Sequence, residues 1–224
     1  ESVRHATTKL AHIHFPASLK SKKNIIKMGE NPNKVFLVGC PSLDLINKKN
    51  LVIDNKFKSK YSSYGVGELK IDFDKPYVVL LQHPVTTEYN LINKNINEII
   101  KAIMMIKYQI IWLWPNVDAG SDIVSKKLRI IREKIKPRNI RWQKNYTPED
   151  YLKLIYNCSC LVGNSSSAIR EGAYLGIPAV NIGNRQNKRE QGKNVINTKY
   201  NSAEIHKSIL KQIHKKLNVG ILLI

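Results

Sequence analysis

The stretch CLVGNSSSAIREGAYLGIPAVNIG, residues 160–183, decides the fold. It begins with a short apolar run, turns through a glycine, an asparagine and three serines, continues as a helix-forming segment and ends in the run AVNIG. Both apolar runs are continuous rather than alternating, which is typical of strands that are covered on both faces. The stretch therefore predicts a strand–helix–strand unit of a parallel sheet.

The same alternation extends along most of the chain. Strands are predicted at 35–39, 77–82, 109–115, 139–142, 160–164 and 179–183, with helices at 93–107, 121–135, 147–157, 166–175 and 202–217. We predict an α/β fold with a doubly wound parallel sheet. Residues 76–224 form one Rossmann-like domain in this interpretation, and residues 47–75 form a crossover. Residues 1–46, with helices at 3–10 and 18–28 and short strands at 12–15 and 35–39, are the remnant of a preceding α/β domain.

The composition suits a globular protein that carries a large positive charge. Hydrophobic residues make up 42% of the chain, and 37 Lys and Arg against 17 Asp and Glu give a net charge of +20. Such a charge fits a nucleic-acid or phosphate-rich partner. The basic residues are mostly scattered lysines among many Asn and Ile, as AT-rich codons supply. We therefore interpret the charge as a solvated surface and expect no nucleic-acid partner.

The sequence also carries signals about compartment and completeness. No apolar run reaches the roughly 18 residues of a membrane span, so we expect no membrane partner. The start lacks both a signal-sequence pattern and an initiator Met, so we expect the chain to begin inside a longer protein. Cys40, Cys158 and Cys160 form no CxxC pair, which favours free thiols in a reducing cytoplasm over a disulfide framework or a metal site.

Polar clusters follow four of the predicted strands. They are HPVTTE after 77–82, NVDAGSD after 109–115, NSSSAIRE after 160–163 and NRQNKRE after 179–183. Ligands of open parallel sheets bind beyond the carboxyl ends of the strands, so these clusters predict a site at that edge. Because loops are polar in any protein, an ordinary solvated edge is the alternative.

The cluster NSSSAIRE has the features of an anion site. A strand end, a tight turn and a helix start present free N–H groups and a positive dipole end, which suit a phosphate. Ser165 and Ser166 add hydroxyl donors. The alternative is plain N-capping, but a capping box needs Ser or Thr three residues before the Glu, and Ala168 stands there before Glu171. A carboxylate at that place can instead bind a vicinal diol such as ribose, so the cluster predicts a nucleotide.

Three more residues are candidates, each with a structural alternative. His83, held extended by Pro84, is either an acid/base or phosphate donor or a structural histidine. Arg185 either neutralises phosphate or is a solvated surface residue, and Asn116 either binds a ligand or begins a turn. The chain contains no GxGxxG, no P-loop motif and no GxSxG elbow, so those sites are not indicated.

Taken together, several motifs resemble the UDP-N-acetylglucosamine 2-epimerase family, and most of all its hydrolysing branch. They are ESVRHATTKLAHIHF, VGCPSLD, LQHPVTTE, WPNVDAGSD, GNSSSAIREG and NIGNRQNKREQGKNVI, in the family's order from residue 1 to about residue 197. The resemblance implies a two-domain, glycosyltransferase-B-like fold, of which residues 76–224 are the UDP-binding domain. It implies that Ser165 and Ser166 bind the pyrophosphate, that Glu171 binds the ribose, and that His83, Asn116 and Arg185 line the same cleft. Glu1 and His83 are its catalytic candidates.

The reaction that the resemblance implies begins with loss of the C2 proton and departure of UDP. Water then adds to the glucal intermediate and gives N-acetylmannosamine, a precursor of sialic-acid-type sugars. Positioned carboxylates are needed for such a proton transfer, and hydroxyls with an arginine suit the leaving diphosphate. The resemblance further implies a UDP-sugar substrate, no redox cofactor, no metal and a homo-oligomer of the full-length protein.

The chain departs from the family pattern at both ends. The N-terminal half, with two further catalytic carboxylates, is absent, and the end LNVGILLI replaces a glycine-containing stretch and a last helix. We expect a truncated chain that binds UDP weakly and does not turn over. A non-hydrolysing epimerase, a nucleotide-sugar glycosyltransferase of similar fold and a basic nucleic-acid-binding module are the alternatives, although the last lacks interleaved aromatic residues for stacking.

Overall fold

A parallel sheet of six strands organises the larger of two compact units in the computed structural model, which describes residues 2–215. The strands are β1 (Tyr77–Leu81), β2 (Gln109–Leu113), β3 (Ile140–Gln143), β4 (Cys160–Gly163), β5 (Ala179–Ile182) and β6 (Val195–Thr198). They lie in the order β3-β2-β1-β4-β5-β6, and every neighbouring pair is parallel. The chain changes direction across the sheet between β1 and β4, which is where open α/β sheets bind ligands.

Eight α-helices accompany the strands within the described residues. They are α1 (Ser2–Leu10), α2 (Leu19–Lys27), α3 (Asn55–Tyr61), α4 (Ile92–Met104), α5 (Ser121–Ile130), α6 (Pro148–Asn157), α7 (Glu171–Leu175) and α8 (Ser202–Ile213). Helix α6 starts as predicted, because Thr147 Oγ1 accepts the Asp150 N–H at 3.2 Å and Pro148 takes the first position. Among these helices, none has the length and apolar content that a membrane crossing needs.

Helices cover both faces of the sheet, so the predicted doubly wound α/β fold is confirmed. Helix α4 packs against both α5 and α8 on one face, where its buried Ile96, Ile99 and Ile103 recur at helical spacing. Helices α6 and α7 contact each other on the other face, where Tyr77 Oη donates to Leu154 O at 2.8 Å. Strands β3, β4 and β5 are buried along their whole length, and β1 and β2 at four of their five residues. Burial on both faces explains why the runs of β1, β2 and β4 are continuously apolar.

The strand predictions at 77–82, 109–115, 139–142, 160–164 and 179–183 are confirmed within one or two residues at the ends. Strand β6 was not predicted, because VINT is short and half-exposed at the edge of the sheet. The predicted strands at 12–15 and 35–39 are wrong. Only His14 and Val35 form an isolated parallel bridge, and a single pair of short segments is too small to form a stable sheet.

The predicted helix at 166–175 is broken in two. A 3₁₀ turn spans Ser166–Ala168, Arg170 has non-helical backbone angles, and α7 begins only at Glu171. In a continuous helix, Ala168 O would accept the N–H four residues further on. Ala168 O instead accepts a hydrogen bond from Asn194 Nδ2 at 3.0 Å, and Asn194 Nδ2 also donates to Ile177 O at 2.8 Å. A buried asparagine from another loop thus replaces the helical hydrogen bond at the break.

Residues 2–46 form the smaller unit, which contains α1 and α2. Glu30 joins its elements, since its carboxylate contacts Lys9 Nζ at 2.6 Å and His14 Nε2 at 3.3 Å. The nearby lysine, through its hydrogen bond, lowers the pKa of Glu30. Ser18 caps α2 by accepting the Ser21 N–H.

Residues 47–75 pack within the larger unit and contain α3. This helix was not predicted, because the segment is polar and shows little hydrophobic periodicity. Asp54 Oδ1 caps the helix by accepting the Phe57 N–H at 2.7 Å. Phe57 and Tyr61, one turn apart, are buried. Further along, Val66 forms an antiparallel bridge with Trp142 of β3 and covers the outer edge of the sheet.

Candidate functional site

Asn164, the first residue after β4, joins the loops that follow three adjacent strands. Its side-chain amide pairs with the backbone of His83, the second residue after β1. Oδ1 accepts the His83 N–H at 2.8 Å, and Nδ2 donates to His83 O at 2.8 Å. Asn164 is 0% exposed. This paired amide fixes the β1 loop against the β4 loop at the point where the strand order reverses.

The backbone carbonyl of Asn164 anchors the loop that follows β5. It accepts hydrogen bonds from Arg185 Nη1 at 3.1 Å and from Gln186 Nε2 at 2.7 Å. Gln186 is buried, whereas Arg185 is exposed. The buried glutamine therefore holds the loop, and the exposed arginine can offer its remaining guanidinium N–H groups at the sheet edge.

His83 is a neutral hydrogen-bond donor in this arrangement. Its Nδ1 accepts the Asn116 N–H at 3.3 Å, which leaves the proton of the neutral imidazole on Nε2. Burial, with help from the Arg185 guanidinium, lowers the pKa of His83 to about 4, and Asp118 acts in the opposite direction. At neutral pH the ring can therefore donate one hydrogen bond to an anion without carrying a charge.

Replacement of His83 by Gln tests this environment through the pH dependence of stability. An unfolded histidine has a pKa of about 6.5, so between about pH 6.5 and 4 the unfolded chain binds a proton that the native chain does not. The contribution of the uncharged, buried His83 to the free energy of unfolding is therefore present above about pH 6.5 and is lost as the pH falls to about 4. We expect the stability difference between wild type and His83→Gln to fall by roughly 2–3 kcal/mol from pH 7 to 4. Urea unfolding across this range measures it, and a constant difference would contradict it.

Ser165 and Ser166 lie at the turn that follows Asn164. Ser165 Oγ accepts the Ser167 N–H at 3.3 Å, so it caps the 3₁₀ turn, as the capping alternative proposed. Its Oγ also lies 3.2 Å from Ser167 Oγ, and Ser166 is half-buried. Ser165 Oγ donates its proton to Ser167 Oγ in this structure, so an anion would receive that proton only if the hydroxyl turned away from Ser167.

Glu171 is buried, and one of its carboxylate oxygens has no partner among the described residues. It is 7% exposed, and Oε2 makes no hydrogen bond. Tyr151 is buried near Glu171 and near the hydroxyls of Ser165 and Ser167, and burial is the main cause that raises the pKa of its phenol. Unpaired buried polar atoms are costly, so a group that supplies hydrogen bonds here is expected.

The structure brings some of the predicted residues together and separates others. His83, Arg185 and the backbone of Asn116 meet around Asn164, whereas the Asn116 side chain is exposed. Ser166 and Glu171 follow Asn164 in the chain, but no hydrogen bond links them to this group within residues 2–215. Glu1, the other catalytic candidate, lies outside the described residues.

Asn164 itself was missed by the sequence prediction, although it stands in the quoted stretch. Its position directly after a buried strand was the available signal. The partner that gives it a role, His83, is 81 residues away in the chain. Gln186 was missed for the same reason, since its contact with Asn164 O spans 22 residues.

A parallel sheet with this order and with interlocked loops at its switch point is a doubly wound α/β domain, and its structural neighbours have a glycosyltransferase-B-like fold. Two solved structures of that fold are similar to it. One is UDP-GlcNAc 2-epimerase from Methanocaldococcus jannaschii in complex with UDP-GlcNAc and UDP, with TM-score 0.69, 18% identity, and 94% of this chain and 56% of that chain covered. The other is UDP-GlcNAc 2-epimerase from Neisseria meningitidis bound to UDP-GlcNAc, with TM-score 0.67, 14% identity and the same coverage.

The chain belongs to the UDP-N-acetylglucosamine 2-epimerase family, whose model matches residues 1–220. It is 36% identical over 196 residues to a UDP-N,N'-diacetylbacillosamine 2-epimerase (hydrolyzing) of Legionella pneumophila, covering 88% of this chain and 49% of that protein. It is 31% identical over 215 residues to a UDP-N-acetylglucosamine 2-epimerase of Neisseria meningitidis, covering 93% and 52%. The chain thus spans about half the length of the curated relatives it matches.

Proposed function

We propose that the edge of the sheet around Asn164 binds the UDP group of a UDP-sugar. The observation that carries the proposal is the meeting of a neutral donor, His83, and an arginine, Arg185, at Asn164, directly before two serines in the chain. The helix that follows these serines carries a buried carboxylate with an unpaired oxygen. The diphosphate lies against Ser165, Ser166, His83 and Arg185, and the ribose diol donates to Glu171. Residues 76–215 supply this nucleotide grip, and Asn116 lines its rim.

The complete protein, in this proposal, is a hydrolysing 2-epimerase. The C2 proton is lost and the C1–O bond to UDP breaks, which gives a 2-acetamidoglucal and free UDP. Water then adds across the double bond and gives the 2-epimeric free sugar, N-acetylmannosamine, for sialic-acid-type sugars. This chain stabilises the leaving diphosphate, with hydrogen bonds that strengthen as negative charge develops on it. Glu1 and His83 remain its catalytic candidates.

The names of two relatives support the hydrolysing outcome, and the names of the relatives include two different sugars. The Legionella relative and a 27% identical Campylobacter jejuni relative both carry the word hydrolyzing with a diacetylbacillosamine sugar in their names. The Neisseria relative is named for N-acetylglucosamine. We propose UDP-N-acetylglucosamine as the substrate, with the UDP-linked diacetamido sugar as the alternative substrate. We also propose that the complete protein is a cytoplasmic homo-oligomer.

Proton NMR of the complete reading frame in heavy water tests this function. Incubation with UDP-N-acetylglucosamine should release free UDP and N-acetylmannosamine with deuterium at C2, with no acceptor present. A UDP-linked product would identify a non-hydrolysing epimerase, and a need for an acceptor would identify a glycosyltransferase. Turnover of the diacetamido sugar alone would replace the proposed substrate. Absence of both deuterium and free UDP with either sugar would contradict the proposal.

Replacement of Glu171 by Gln separates ligand binding from stability. Gln cannot offer a charged acceptor to the ribose diol, so UDP should bind the variant about 10- to 100-fold more weakly, as expected for a lost hydrogen bond to a charged group. The ligand-free variant should be at least as stable as wild type, because a buried carboxylate with an unpaired oxygen is replaced by a neutral amide, which costs less to bury. Calorimetry with UDP and thermal unfolding measure the two effects.

The ligand 2'-deoxyuridine diphosphate provides the control for this prediction. It lacks one hydroxyl of the diol, so wild type should bind it more weakly than UDP. That preference should disappear in Glu171→Gln if the carboxylate binds the diol. An equal preference in both proteins would place the ribose elsewhere.

A further inference from the structure

Glu88 connects two of the loops that surround Asn164. It lies in the 3₁₀ turn Thr86–Leu91 after β1, and its Oε1 accepts Asn184 Nδ2 of the β5 loop at 2.5 Å. Its other oxygen, Oε2, accepts Asn95 Nδ2 of helix α4 at 3.3 Å. Because β4 lies between β1 and β5 in the sheet, this contact joins the loops of two strands that are not neighbours. Neither oxygen of Glu88 is used by the proposed UDP contacts.

The residues on either side of Asn184 show that the Glu88–Asn184 contact can control the position of Arg185. Asn184 directly precedes Arg185, whose guanidinium donates to Asn164 O. On its other side, Gly183 has φ +79°, and an added Cβ would lie 2.5 Å from the Tyr200 ring. Tyr200 therefore fixes the start of the loop, and Glu88 fixes the next residue.

Helix α4 gives Glu88 a firm support. Asn95 precedes Ile96 and Ile99, which are buried in the core between α4 and the sheet. The carboxylate of Glu88 also faces the Tyr200 phenol, and burial together with this negative charge raises the pKa of Tyr200 to about 12. A rigid helix, a buried tyrosine and one carboxylate thus meet at the base of the Arg185 loop.

We propose that Glu88 is a positioning residue, whose carboxylate ties the Arg185 loop to α4 and so holds the arginine towards the bound diphosphate. This inference rests on the proposed function. The carboxylate acts through Asn184 and does not touch the substrate. The contact is charge-assisted and joins a half-buried Glu88 to an exposed Asn184, so its loss should increase the freedom of the arginine rather than unfold the chain.

Affinity for UDP and for uridine in the 224-residue chain tests the proposal. Removal of a negative charge near a diphosphate would by itself strengthen UDP binding. Glu88→Ala should instead weaken it by about 10-fold, the size expected for one charge-assisted hydrogen bond, and leave uridine binding unchanged. A stronger or unchanged affinity for UDP in Glu88→Ala overturns the proposal. An equal loss for uridine also overturns it, because the variant would then have a general structural defect rather than a displaced arginine.

A polarity swap supplies the specific control. Asn184→Asp places two carboxylates face to face and should weaken UDP binding by at least about 10-fold. The double variant Glu88→Gln with Asn184→Asp reverses donor and acceptor at wild-type net charge, and should recover most of the affinity. Asn187→Asp adds the same charge at an exposed position of the same loop and reports the effect of charge alone. Failure of the double variant to exceed Asn184→Asp overturns the proposal.

A readout without ligand separates this inference from the proposed function. Arg185 and Asp118 act on His83 with opposite signs. Asn184→Ala changes no charge, so departure of Arg185 should raise the pKa of His83 above about 4, although burial still holds it below its ordinary value, as followed by NMR of the ring. If wild type does not bind UDP, the proposed function fails, while this titration still tests whether the Glu88–Asn184 contact positions Arg185. If wild type binds UDP and the pKa of His83 does not move, only the proposed role of the Glu88–Asn184 contact fails.

Discussion

Replacement of Asn164 by Ala should abolish measurable UDP binding and lower the free energy of unfolding by about 2–5 kcal/mol. The side-chain amide satisfies both the N–H and the C=O of His83, and His83 is 5% exposed. Water cannot easily replace those two hydrogen bonds, and each buried group left unpaired costs about 1–3 kcal/mol. The loop after β1 would move to rehydrate them and would carry the His83 ring away from the Arg185 guanidinium.

Two measurements separate these effects. Urea unfolding gives the stability loss, and Asn97→Ala, an exposed asparagine on α4, should change it by less than about 0.5 kcal/mol. Titration with UDP, under conditions where both variants are folded, gives the binding loss. A folded Asn164→Ala protein that binds UDP like wild type would show that the interlocked loops are not the nucleotide site.

The sheet could be predicted from the sequence because the information for each strand is local. Runs such as YVVLLQ and QIIWLWP are continuously apolar, and strands that are buried on both faces need that composition. Polar residues directly after such runs must lie at the carboxyl edge of a parallel sheet. His83, Ser165 and Arg185 could therefore be placed at one edge from the sequence alone.

The details of that edge depend on contacts that a linear reading does not contain. The break before α7 exists because Asn194 takes the carbonyl of Ala168, 26 residues away. The pairing of Asn164 with His83 and the contact between Glu88 and Asn184 are likewise long-range and involve single polar side chains. The sequence marks such residues only as polar residues in loops, so their roles follow from the fold rather than from the pattern.

The outer edge of the sheet is held by another long-range contact that the sequence pattern does not reveal, and we expect its loss to cost much stability. Arg141 lies in the middle of β3, a strand predicted from apolar neighbours, and it is 8% exposed. Burial lowers its pKa, yet an arginine stays charged in proteins. Its guanidinium donates to backbone carbonyls of one segment rather than to a carboxylate, namely those of Ser63, Tyr64, Gly65, Gly67 and Leu69.

That segment covers the edge of β3. Val66 N–H donates to Trp142 O at 2.8 Å, and Trp142 N–H donates to Val66 O at 2.9 Å. The approach is so close that a Cβ on Gly67, which has φ +130°, would lie 2.8 Å from Ile140 O. A covered edge cannot pair with another chain, which protects the protein from aggregation.

Replacement of Arg141 by Met should therefore release residues 63–69 and lower the free energy of unfolding by about 3 kcal/mol. The methionine fills similar space but donates nothing, so the segment must move to hydrate its carbonyls. Arg141→Lys should recover part of the loss, because an ammonium offers three donors where the guanidinium offers five. Arg138→Met, at an exposed position in the turn before β3, is the matched control.

Urea unfolding and amide hydrogen exchange together decide this prediction. Exchange at Val66 and Trp142 should rise by orders of magnitude in Arg141→Met, while amides of the central strand β1 keep their relative protection. The exposed edge should also make the variant aggregate at lower concentrations than the Arg138→Met control. If stability fell while exchange at the edge stayed slow, the arginine would be stabilising the core of the sheet rather than its cover. The segment 63–69 would then be held by its two bridge hydrogen bonds and by Gln143 Nε2, which donates to Tyr64 O at 3.0 Å.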